Sequence, residues 1–458
     1  MNTPPPEIFK AYDIRGVVDR TLTPAGVEAI GRALATECRA RGGGAIAIGR
    51  DGRLSGPALA AALAAGVRAG GVDVVDLGMV TTPMCYFAAH ALGTGSAVMV
   101  TGSHNPPEYN GLKMVLAGTT LAGEEIQRLR RRIEQGELAA GSGGYQTADV
   151  RETYLARIAG DVSLARPLAI AVDCGNGAAG LIAPALYRRL GCRVTELFCE
   201  VDGTFPNHHP DPTRPENLRD LIAALQDGAG ELGLAFDGDG DRLGVVTRNG
   251  TIVYADRLLM LLAADVLARH PGGEIVYDVK CTRNLASWIR QHGGRPAMWK
   301  TGHSLIKGRM KALHAPIAGE MSGHIFIADR WYGFDDGVYA GARLLELLAR
   351  SAEPSATLEA LPDSVATPEL HVPLAEGEPH RLVERLQHEA RFPGAVEVIT
   401  LDGLRVEYAD GFGLARASNT TPVLVLRFEA QDAAGLGRIQ EAFRRALLAA
   451  KPDAQLPF

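Results

Sequence analysis

The sequence predicts an α/β protein with three similar α/β mixed-sheet domains followed by a smaller α+β domain. Three observations favour this fold class. The 458 residues exceed what a single hydrophobic core usually supports. A pattern of apolar strands alternating with helices occurs three times along the chain. After about Pro362 the pattern changes. The expected domains span residues 1–149, 150–251, 252–362 and 363–458.

The first copy of the repeat begins with an apolar strand at Ala45–Gly49. A helix of small residues is predicted at about Pro57–Ala69, followed by a second strand at Val72–Leu77. The copy ends with the strand Ala97–Val100, whose four apolar residues indicate a buried strand. Ligands bind at the carboxyl ends of strands in open α/β sheets, so the loop after this strand is a candidate site.

The second and third copies show the same alternation of strands and helices. In the second copy the strands are Leu168–Val172, Arg193–Phe198 and Leu232–Phe236, with helices to about Leu190 and near Leu218–Leu225. In the third copy the strands are Glu274–Tyr277, Pro296–Trp299 and Pro316–Ala318, with helices Asn284–Gln291 and Leu305–Leu313. In every copy the last strand runs into a polar loop, so one fold is expected to present three different loops.

The segment after about Pro362 predicts a compact α+β domain. Its strands are expected near 369–372, 396–400, 404–408 and 423–428, and its helices near 379–390 and 433–447. Acidic and small residues at 351–357 and 362–368 favour a linker region before this domain.

The composition, with 46% hydrophobic and 22% charged residues, is that of an ordinary globular protein. The formal net charge of −6 gives no reason to expect nucleic acid or an anionic membrane as a partner. An anionic substrate must then be held by local basic residues. No apolar run reaches the ~18 residues of a membrane span. The first residues also lack the basic start and apolar stretch of a signal peptide.

Six cysteines are scattered along the chain without the pairing that is typical of zinc sites. They are Cys38, Cys85, Cys174, Cys192, Cys199 and Cys281. Several lie in apolar segments, which indicates reduced residues of the core. We therefore expect a cytoplasmic protein.

The loop Thr101–Asn110 is the most informative segment, with the sequence Thr-Gly-Ser-His-Asn-Pro-Pro-Glu-Tyr-Asn. It presents Ser103 on a tight turn, with His104 beside it and Lys113 shortly after. A hydroxyl among cationic and amide groups is suited to carrying a phosphate. Attack on an acyl carbon is less expected, because no Gly-x-Ser-x-Gly elbow surrounds the serine.

The segment Asp237–Asp241 has the sequence Asp-Gly-Asp-Gly-Asp and follows a predicted buried strand. Three carboxylates at alternate positions supply the hard oxygen ligands that Mg²⁺ prefers. An EF-hand calcium loop is the alternative, but its sixth position would be Arg242 and its twelfth Arg248 instead of Gly and Glu. Nearby cations such as Arg242 are expected to offset the charge of the carboxylates and a phosphoserine.

The loop Gly319–His324 has the sequence Gly-Glu-Met-Ser-Gly-His and combines a carboxylate, a hydroxyl and an imidazole. The Glu320 carboxylate can accept hydrogen bonds from two hydroxyls of a sugar. Taken alone, the motif is at least as compatible with a helix-capping turn. His303 follows the preceding strand and is a weaker candidate for the same cleft.

The segment Arg416–Thr421 combines a guanidinium with hydroxyl and amide donors. These groups can hold a phosphate dianion without a P-loop. A hairpin turn with a solvated arginine is the alternative, although an apolar strand follows at once.

Near the N-terminus, Phe9–Gly16 is an aromatic and basic cluster that precedes the first repeat. Tyr12 and Arg15 are candidates for closing the cleft beside Ser103. A strand packed on the sheet, with Arg15 at the surface, explains the cluster almost as well.

Together, these loops resemble those of the α-D-phosphohexomutase family in order and spacing along essentially the whole chain. The serine loop and the Gly319–His324 loop are most similar to the branch that acts on both mannose and glucose phosphates. The resemblance implies a heart-shaped molecule in which each of four domains gives one loop to a central active-site cleft.

The resemblance also implies roles for individual residues. Ser103 would be stored as phosphoserine and, with Asp237, Asp239 and Asp241, would bind one Mg²⁺. The catalytic candidates are Ser103, His104, Lys113, Arg15 and Arg242. The substrate-binding candidates are Tyr12, Lys280, His303, Glu320, Ser322, His324, Arg416, Ser418, Asn419 and Thr420. The general acid or base among the catalytic group stays open.

The implied reaction interconverts hexose 1-phosphate and hexose 6-phosphate through a hexose 1,6-bisphosphate, which is also the activator. The expected partners are small sugar phosphates only, and we expect a monomer. Phosphoglucosamine mutase is the runner-up within the family, disfavoured by Met321 where that branch tends to carry Gln. Two further classes of protein stay open, namely a hydrolase that discharges the same phosphoserine to water and a sugar-phosphate binder without catalysis.

Overall fold

The computed structural model of the chain describes residues 3–419 and 421–458, and its strands form four separate sheets. The first sheet has the strand order β1-β5-β4-β2-β3-β7, with β6 paired to β5. Its strands are β1 Ile14–Val17, β2 Ala45–Arg50, β3 Asp73–Met79, β4 Ala97–Val100, β5 Tyr109–Leu116, β6 Thr119–Thr120 and β7 Tyr145–Thr147. The helices around it are α1 Pro24–Ala40, α2 Gly56–Ala69, α3 Thr82–Ala91 and α4 Glu124–Gln135.

The second sheet has the order β12-β11-β10-β8-β9. Its strands are β8 Ala169–Asp173, β9 Arg193–Leu197, β10 Leu232–Phe236, β11 Leu243–Thr247 and β12 Ile252–Val253, and its helices are α5 Arg151–Ala159, α6 Ala183–Arg189 and α7 Arg219–Gln226. The third sheet has the order β14-β13-β15-β16. Its elements are α8 Ala255–Arg269, β13 Glu274–Asp278, α9 Arg283–Gln291, β14 Arg295–Trp299, α10 His303–Leu313, β15 Ile317–Gly319, β16 Ile325–Ile327, α11 Gly337–Leu348 and α12 Pro354–Glu359.

The fourth sheet has the order β17-β22-β21-β20-β19, with β18 also paired to β22. Its strand pairings are all antiparallel. Its elements are β17 Val365–Ala366, β18 Leu370–Pro373, α13 Glu378–Glu389, β19 Glu397–Ile399, β20 Leu404–Tyr408, β21 Gly411–Ala417, β22 Val423–Ala430 and α14 Ala433–Ala450.

One four-strand unit recurs in the first three sheets. Its orders are β5-β4-β2-β3, β11-β10-β8-β9 and β16-β15-β13-β14. In each copy the first three strands in chain order are parallel to one another. The fourth strand in chain order is antiparallel and pairs with the third. The loop between the third strand and its antiparallel neighbour therefore lies at the same sheet edge in every copy. This result confirms the predicted threefold repeat of mixed-sheet units.

A hydrophobic core shared by the first three units connects them. Its buried members run from Ala47 in the first unit through Tyr154 and Leu234 to Trp331 and Leu344 in the third. The fourth sheet has a separate core beneath α13 and α14. In the described part of the chain, no helix is both long and apolar enough to cross a membrane.

The predicted linker region was wrong in part. The segment at 351–357 contributes to α12, which packs near β11, and the segment at 362–368 contains β17, which pairs with β22. The small and acidic residues of this segment did not predict the helix, because it has only a few apolar residues. Two of these, Pro354 and Leu358, are buried. His303 is also the first residue of α10, two residues earlier than the predicted start.

Candidate active site

Ser103 lies at the carboxyl end of β4, on a loop with a left-handed backbone at the serine itself (φ 49°). Its backbone N–H donates to Thr101 Oγ1 at 2.7 Å, which stabilises this unusual conformation. The side chain is 2% exposed. Ser103 Oγ donates to Asp237 Oδ2 at 2.9 Å and lies 3.2 Å from His104 Nδ1. The loop thus aims one hydroxyl at a carboxylate of the second unit.

Arg53, which the sequence motifs did not single out, holds the serine loop in place. Its guanidinium donates to four backbone carbonyls of the loop, at distances of 2.5–3.0 Å. These carbonyls belong to Ser103, Asn105, Pro106 and Tyr109. Asp51 pairs with Arg53 at 3.3 Å and accepts from Thr101 Oγ1 at 2.7 Å. The signal was present as Arg50-Asp-Gly-Arg53 directly after a predicted strand, at the same edge of the first sheet as the serine loop.

The three aspartates lie between β10 and β11 and are fully buried. Lys113, on β5, donates to Asp239 Oδ2 at 2.8 Å and also contacts Asp241 Oδ2. Burial alone would lower the pKa of Lys113, but these carboxylates outweigh it and raise that pKa, so the ammonium stays charged. Burial and the neighbouring carboxylates raise the pKa of Asp237 well above its ordinary value. The cluster therefore holds more negative charge than Lys113 alone offsets.

This cluster has the donors that a cation needs. One oxygen from each of Asp237, Asp239 and Asp241 can be chosen so that the three lie within 4.8 Å of one another. The Oδ1 atoms of Asp239 and Asp241 are buried and have no hydrogen-bond partner within the described residues. Orphaned carboxylate oxygens of this kind are costly unless a cation or water satisfies them. The three carboxylates can therefore hold a metal ion with hard oxygen preference.

Three predicted cationic residues surround the serine loop. Arg15 lies on β1 opposite Gly111 of β5, two residues from Lys113, so the Arg15 and Lys113 side chains lie on the same face of the sheet. Arg15 pairs with Asp13 at 2.6 Å. Arg242 donates its backbone N–H to Asp237 Oδ1 at 3.1 Å. Burial and the cations near it hold the pKa of His104 well below its ordinary value. These cations are Arg242, Arg15 and Lys113. His104 is therefore a neutral imidazole in a field of positive charge.

The loop after β15 presents Glu320 and His324. Glu320 Oε1 accepts the Gly302 backbone N–H at 2.5 Å, and burial raises the pKa of Glu320 to about 7. His303 lies with its ring 5.7 Å from that of His324 and 5.7 Å from that of Tyr12. Ser322 is half-buried on the same loop. The structure thus brings the predicted sugar-binding residues of the third unit beside Tyr12 of the first.

Asp335 and Lys307, neither of them predicted from the sequence, support His324. Arg242 Nε donates to His324 Nε2 at 3.0 Å, so the ring proton resides at Nδ1. His324 Nδ1 lies 3.1 Å from Asp335 Oδ2, and Lys307 Nζ donates to Asp335 Oδ1 at 2.8 Å. Burial opposes ionisation of Asp335, but Lys307 outweighs it and lowers the pKa of Asp335. Both residues are outside the loop in sequence, so no local motif indicated them.

The fourth unit contributes Arg416 at the end of β21. Arg416 Nε donates to Asp402 Oδ2 at 3.2 Å, and Asp402 also accepts the Thr301 backbone N–H of the third unit at 2.9 Å. Ser418 and Asn419 follow on a half-buried turn, in which the Thr421 backbone N–H donates to Ser418 Oγ at 3.3 Å. The prediction for Thr420 lies outside the described residues.

Lys280 and Tyr12 both lie near Arg416, and Tyr12 also lies near Glu320 of the loop after β15. Lys280 Nζ donates to Glu369 Oε1 at 2.5 Å, and the Lys280 ammonium is buried. Burial raises the pKa of Tyr12 to about 12, and the charges acting on its hydroxyl include Arg416 and Glu320. The structure therefore brings two buried cations, Lys280 and Arg416, into the same electrostatic neighbourhood as Tyr12 and Glu320.

Family models match the chain in four consecutive segments. Their descriptions are phosphoglucomutase/phosphomannomutase, alpha/beta/alpha domains I, II and III, and the C-terminal domain, at residues 6–140, 152–250, 254–365 and 369–446. The chain belongs to the phosphoglucomutase/phosphomannomutase family. The predicted resemblance to the α-D-phosphohexomutases is thereby confirmed, and the chain is a hexose phosphate mutase.

Relatives within this family are similar along nearly their whole length. A phosphoglucomutase of Neisseria gonorrhoeae is 58% identical over 96% of each chain. A phosphomannomutase/phosphoglucomutase of Pseudomonas aeruginosa is 54% identical over 100% of this chain and 98% of that one. The crystal structure of a phosphoglucomutase/phosphomannomutase family protein from Burkholderia thailandensis superposes with a TM-score of 0.95 at 59% identity, covering 99% and 100% of the two chains.

Proposed function

We propose that this phosphohexomutase interconverts the 1- and 6-phosphates of glucose and mannose through a phosphoserine at position 103. The observation that carries the assignment is the Ser103 hydroxyl, which lies 2.9 Å from Asp237 within a buried cluster of carboxylates and cations. The relatives at 54–58% identity are phosphoglucomutases and phosphomannomutase/phosphoglucomutases, so a phosphoglucosamine mutase is not favoured. The domains are taken to meet near residues 149, 251 and 362.

Asp237, Asp239, Asp241 and Ser103 Oγ are the proposed ligands of one Mg²⁺, because two of the carboxylates carry orphaned buried oxygens. When bound, the ion would neutralise charge on the phosphoryl group that is transferred. Lys113 remains protonated and serves as a second positive charge for the equatorial phosphoryl oxygens.

In the first half-reaction, a sugar hydroxyl oxygen attacks the phosphorus of phosphoserine 103. The new P–O bond to the sugar forms as the P–O bond to Ser103 breaks, and the product is a hexose 1,6-bisphosphate. The proton of the sugar hydroxyl passes to a base among the catalytic candidates, and the released Ser103 Oγ takes up a proton. In the second half-reaction Ser103 Oγ attacks the other phosphorus of the bisphosphate. The P–O bond to the sugar breaks, and the sugar oxygen leaves and takes up a proton. The serine proton must then leave, and His104 Nδ1, a neutral acceptor 3.2 Å from Oγ, is the group proposed to hold it.

The phosphate that does not react is proposed to bind the turn after β21. Arg416 supplies a guanidinium there, with Ser418, Asn419 and Thr420 as hydroxyl and amide donors. Lys280 and Tyr12 line the approach to this turn. Glu320, Ser322 and the neighbouring imidazoles of His303 and His324 are proposed to hold the sugar hydroxyls. Arg15 and Arg242 act beside the serine as charge stabilisers.

The proposed place of action is the cytoplasm, with the chain as a monomer and sugar phosphates as its only partners. All six cysteines are free thiols, including a pair whose sulfurs are 3.5 Å apart, and this state fits a reducing compartment.

The decisive experiment replaces the nucleophile. Purified wild-type enzyme should contain a fraction with one phosphate, which intact mass spectrometry detects and Ser103→Ala removes. Turnover of glucose 1-phosphate should fall by at least ~1,000-fold in that variant, because the covalent path is lost. A hydrolase would instead release inorganic phosphate in step with phosphoserine loss. Wild-type mutase activity in Ser103→Ala would disprove the covalent mechanism.

A further inference from the structure

Two cysteines lie side by side at the carboxyl edge of the second sheet. Cys174 follows β8 directly, and Cys199 follows β9 by two residues. The two strands are parallel neighbours with Asp173 opposite Leu197, so both cysteines lie at the carboxyl edge of the second sheet. Their Sγ atoms are 3.5 Å apart, and both are free thiols.

The distance between the sulfurs is short enough for bond formation by local movement. A disulfide has an S–S length of about 2.0 Å, so the sulfurs must approach by about 1.5 Å, which rotation about the two Cα–Cβ bonds can provide in part. The Cys174 backbone N–H already donates to the Leu197 carbonyl at 3.2 Å, so the two chain segments are in register. Small shifts of the backbone can supply the remaining approach.

The two thiols differ in access. Cys199 is half-buried, whereas Cys174 is fully buried and burial raises its pKa well above the ordinary value. An oxidant arriving from solvent therefore meets Cys199 first, and Cys174 is positioned as the resolving thiol.

A series of close backbone contacts connects the pair with the catalytic serine. The Cys199 carbonyl oxygen occupies space only 2.0 Å from where a side chain on Gly180 would begin. In the same segment, the Ala178 backbone N–H donates to the Gly238 carbonyl at 2.9 Å. A side chain on Gly238 would in turn lie 2.4 Å from the Ser103 carbonyl oxygen. Contacts this tight leave little room for movement, so we expect a shift at Cys199 to reach the Asp237–Asp241 loop and Ser103.

We propose that hydrogen peroxide oxidises Cys174 and Cys199 to a disulfide. Formation of this disulfide reversibly lowers catalytic turnover. The Cys199 sulfur attacks one peroxide oxygen, the O–O bond breaks, and water leaves after proton transfer, giving a sulfenic acid. The Cys174 sulfur then attacks the Cys199 sulfur, the S–O bond breaks, and the Cys174 proton leaves with the hydroxyl as a second water. The two sulfurs together lose two electrons, and the peroxide gains them.

The chemical test needs no sugar substrate. The native enzyme is treated with hydrogen peroxide, quenched, denatured and alkylated, and its free thiols should fall from six to four. Trypsin separates the cysteines, since Cys174 lies in the peptide 158–188, Cys192 in 190–193 and Cys199 in 194–219. A disulfide-linked peptide that joins 158–188 to 194–219 is expected. Six alkylated cysteines, or oxygen added to Cys199 without this linked peptide, would overturn the proposal.

The functional test compares matched variants. Oxidised wild-type enzyme should lose at least threefold in kcat and regain it with dithiothreitol, and Cys192→Ser should behave in the same way because it keeps the pair. Cys199→Ser should keep its kcat under the same peroxide treatment. The linked peptide in wild-type enzyme remains a readout if that variant does not fold. Unchanged kcat in fully cross-linked enzyme, or equal loss in Cys199→Ser, would overturn the link to the catalytic loop.

Discussion

Other residues hold the backbone of Ser103, the proposed nucleophile, in place. Four carbonyls of its loop point toward one side and would repel each other, and the Arg53 guanidinium satisfies all of them. Arg53 is 1% exposed and contacts the second unit through Phe205, whose ring centroid is 5.1 Å away. The geometry of the proposed nucleophile therefore depends on Arg53, whose guanidinium is bound to the backbone of the loop.

Replacement of Arg53 by lysine should uncouple charge from geometry. Lysine keeps the positive charge next to Asp51 but cannot reach four carbonyls, so buried acceptors lose their donors at about 1–3 kcal/mol each. We expect kcat/KM to fall by at least ~100-fold and the midpoint of thermal unfolding to fall by several degrees. Arg39→Lys is the control, since Arg39 also donates to backbone carbonyls of the first unit, remote from the loop. Equal effects of the two changes would contradict the proposed role.

Glu320 should matter equally for both sugars. Glucose and mannose phosphates differ only at the 2-hydroxyl, and the bisphosphate must bind in two orientations, so the cleft can grip only groups that superpose after the flip. The 3- and 4-hydroxyls are such groups, and one carboxylate can accept from both. Glu320→Ala should lower kcat/KM for glucose 1-phosphate and mannose 1-phosphate by a similar factor, about 10- to 100-fold. A loss confined to one sugar would show that position 2 is recognised.

The residues that the sequence predicted are those whose chemistry is contiguous in the chain. Ser103 and the three aspartates lie in short motifs that follow apolar strands, and the structure brings Ser103 within hydrogen-bond distance of Asp237. Asp335 could not be found in this way, because its contact with His324 depends on how the chain enters α11. Long-range pairing of this kind is a property of the packed units.

At the level of the elements, strands with a continuous apolar run were predictable from the sequence. Strands interrupted by glycine or polar residues were not. The strand β10 has the bounds that its apolar run predicts. In contrast, β5 carries Asn110, Gly111 and Lys113, and β21 carries Gly411 and Gly413, residues that disfavour strands on intrinsic grounds. Both strands form because neighbours on either side pair with them. Hydrogen bonding to neighbouring strands therefore outweighs the low intrinsic strand preference of these glycine and polar residues.

The cap of α11 makes the stability of the third unit depend on pH. Asp336 accepts the Tyr339 backbone N–H at 2.9 Å and the Tyr154 hydroxyl at 2.8 Å. Burial raises the pKa of Asp336 to about 7, from 3.8. A raised pKa means that the folded state favours the protonated form, so this stability is complete below about pH 4 and is lost as the pH rises to about 7.

Asp336→Asn should remove that dependence, because asparagine keeps the capping oxygen without the ionisation. Relative to the variant, the wild-type free energy of unfolding should fall between about pH 4 and 7, by up to about 4 kcal/mol for a shift of about three pKa units. Urea unfolding at several pH values measures the difference. Asp432→Asn makes the same change at the exposed cap of α14, where Asp432 accepts the Gly435 N–H at 2.8 Å. A difference between wild type and Asp336→Asn that is constant with pH would refute the assignment.

At the scale of the whole molecule, the proposed site takes its residues from the neighbourhood of all four sheets. Ser103 and Lys113 come from the first unit, the aspartates from the second, Glu320 and His324 from the third, and Arg416 from the fourth. The protein as a whole has a net charge of −6, yet the proposed site includes the buried cations Lys113, Lys280 and Arg416. These cations can hold an anionic substrate locally although the protein as a whole carries a negative net charge.

In the acidic cluster, the carboxylates that are proposed to bind the metal ion are expected to lower the stability of the fold when no cation is bound. Asp237 has a raised pKa because it lies buried beside two other carboxylates, so without a cation it should destabilise the fold. Magnesium should therefore raise the midpoint of thermal unfolding, by the equivalent of about 2.7 kcal/mol at a free concentration about 100 times Kd. Chelation with EDTA should reverse the shift and abolish turnover.

Asp237→Asn tests this opposition. Asparagine removes the repulsion but keeps an oxygen for the Arg242 backbone N–H, which now donates to Oδ1 at 3.1 Å. In EDTA, the variant should unfold at the wild-type temperature or above it. With magnesium, wild type should gain stability and the variant should gain much less, while its kcat falls by at least ~100-fold. An equal magnesium shift in both proteins would place the cation elsewhere, and a variant less stable than wild type in EDTA would show that the carboxylate supports the fold.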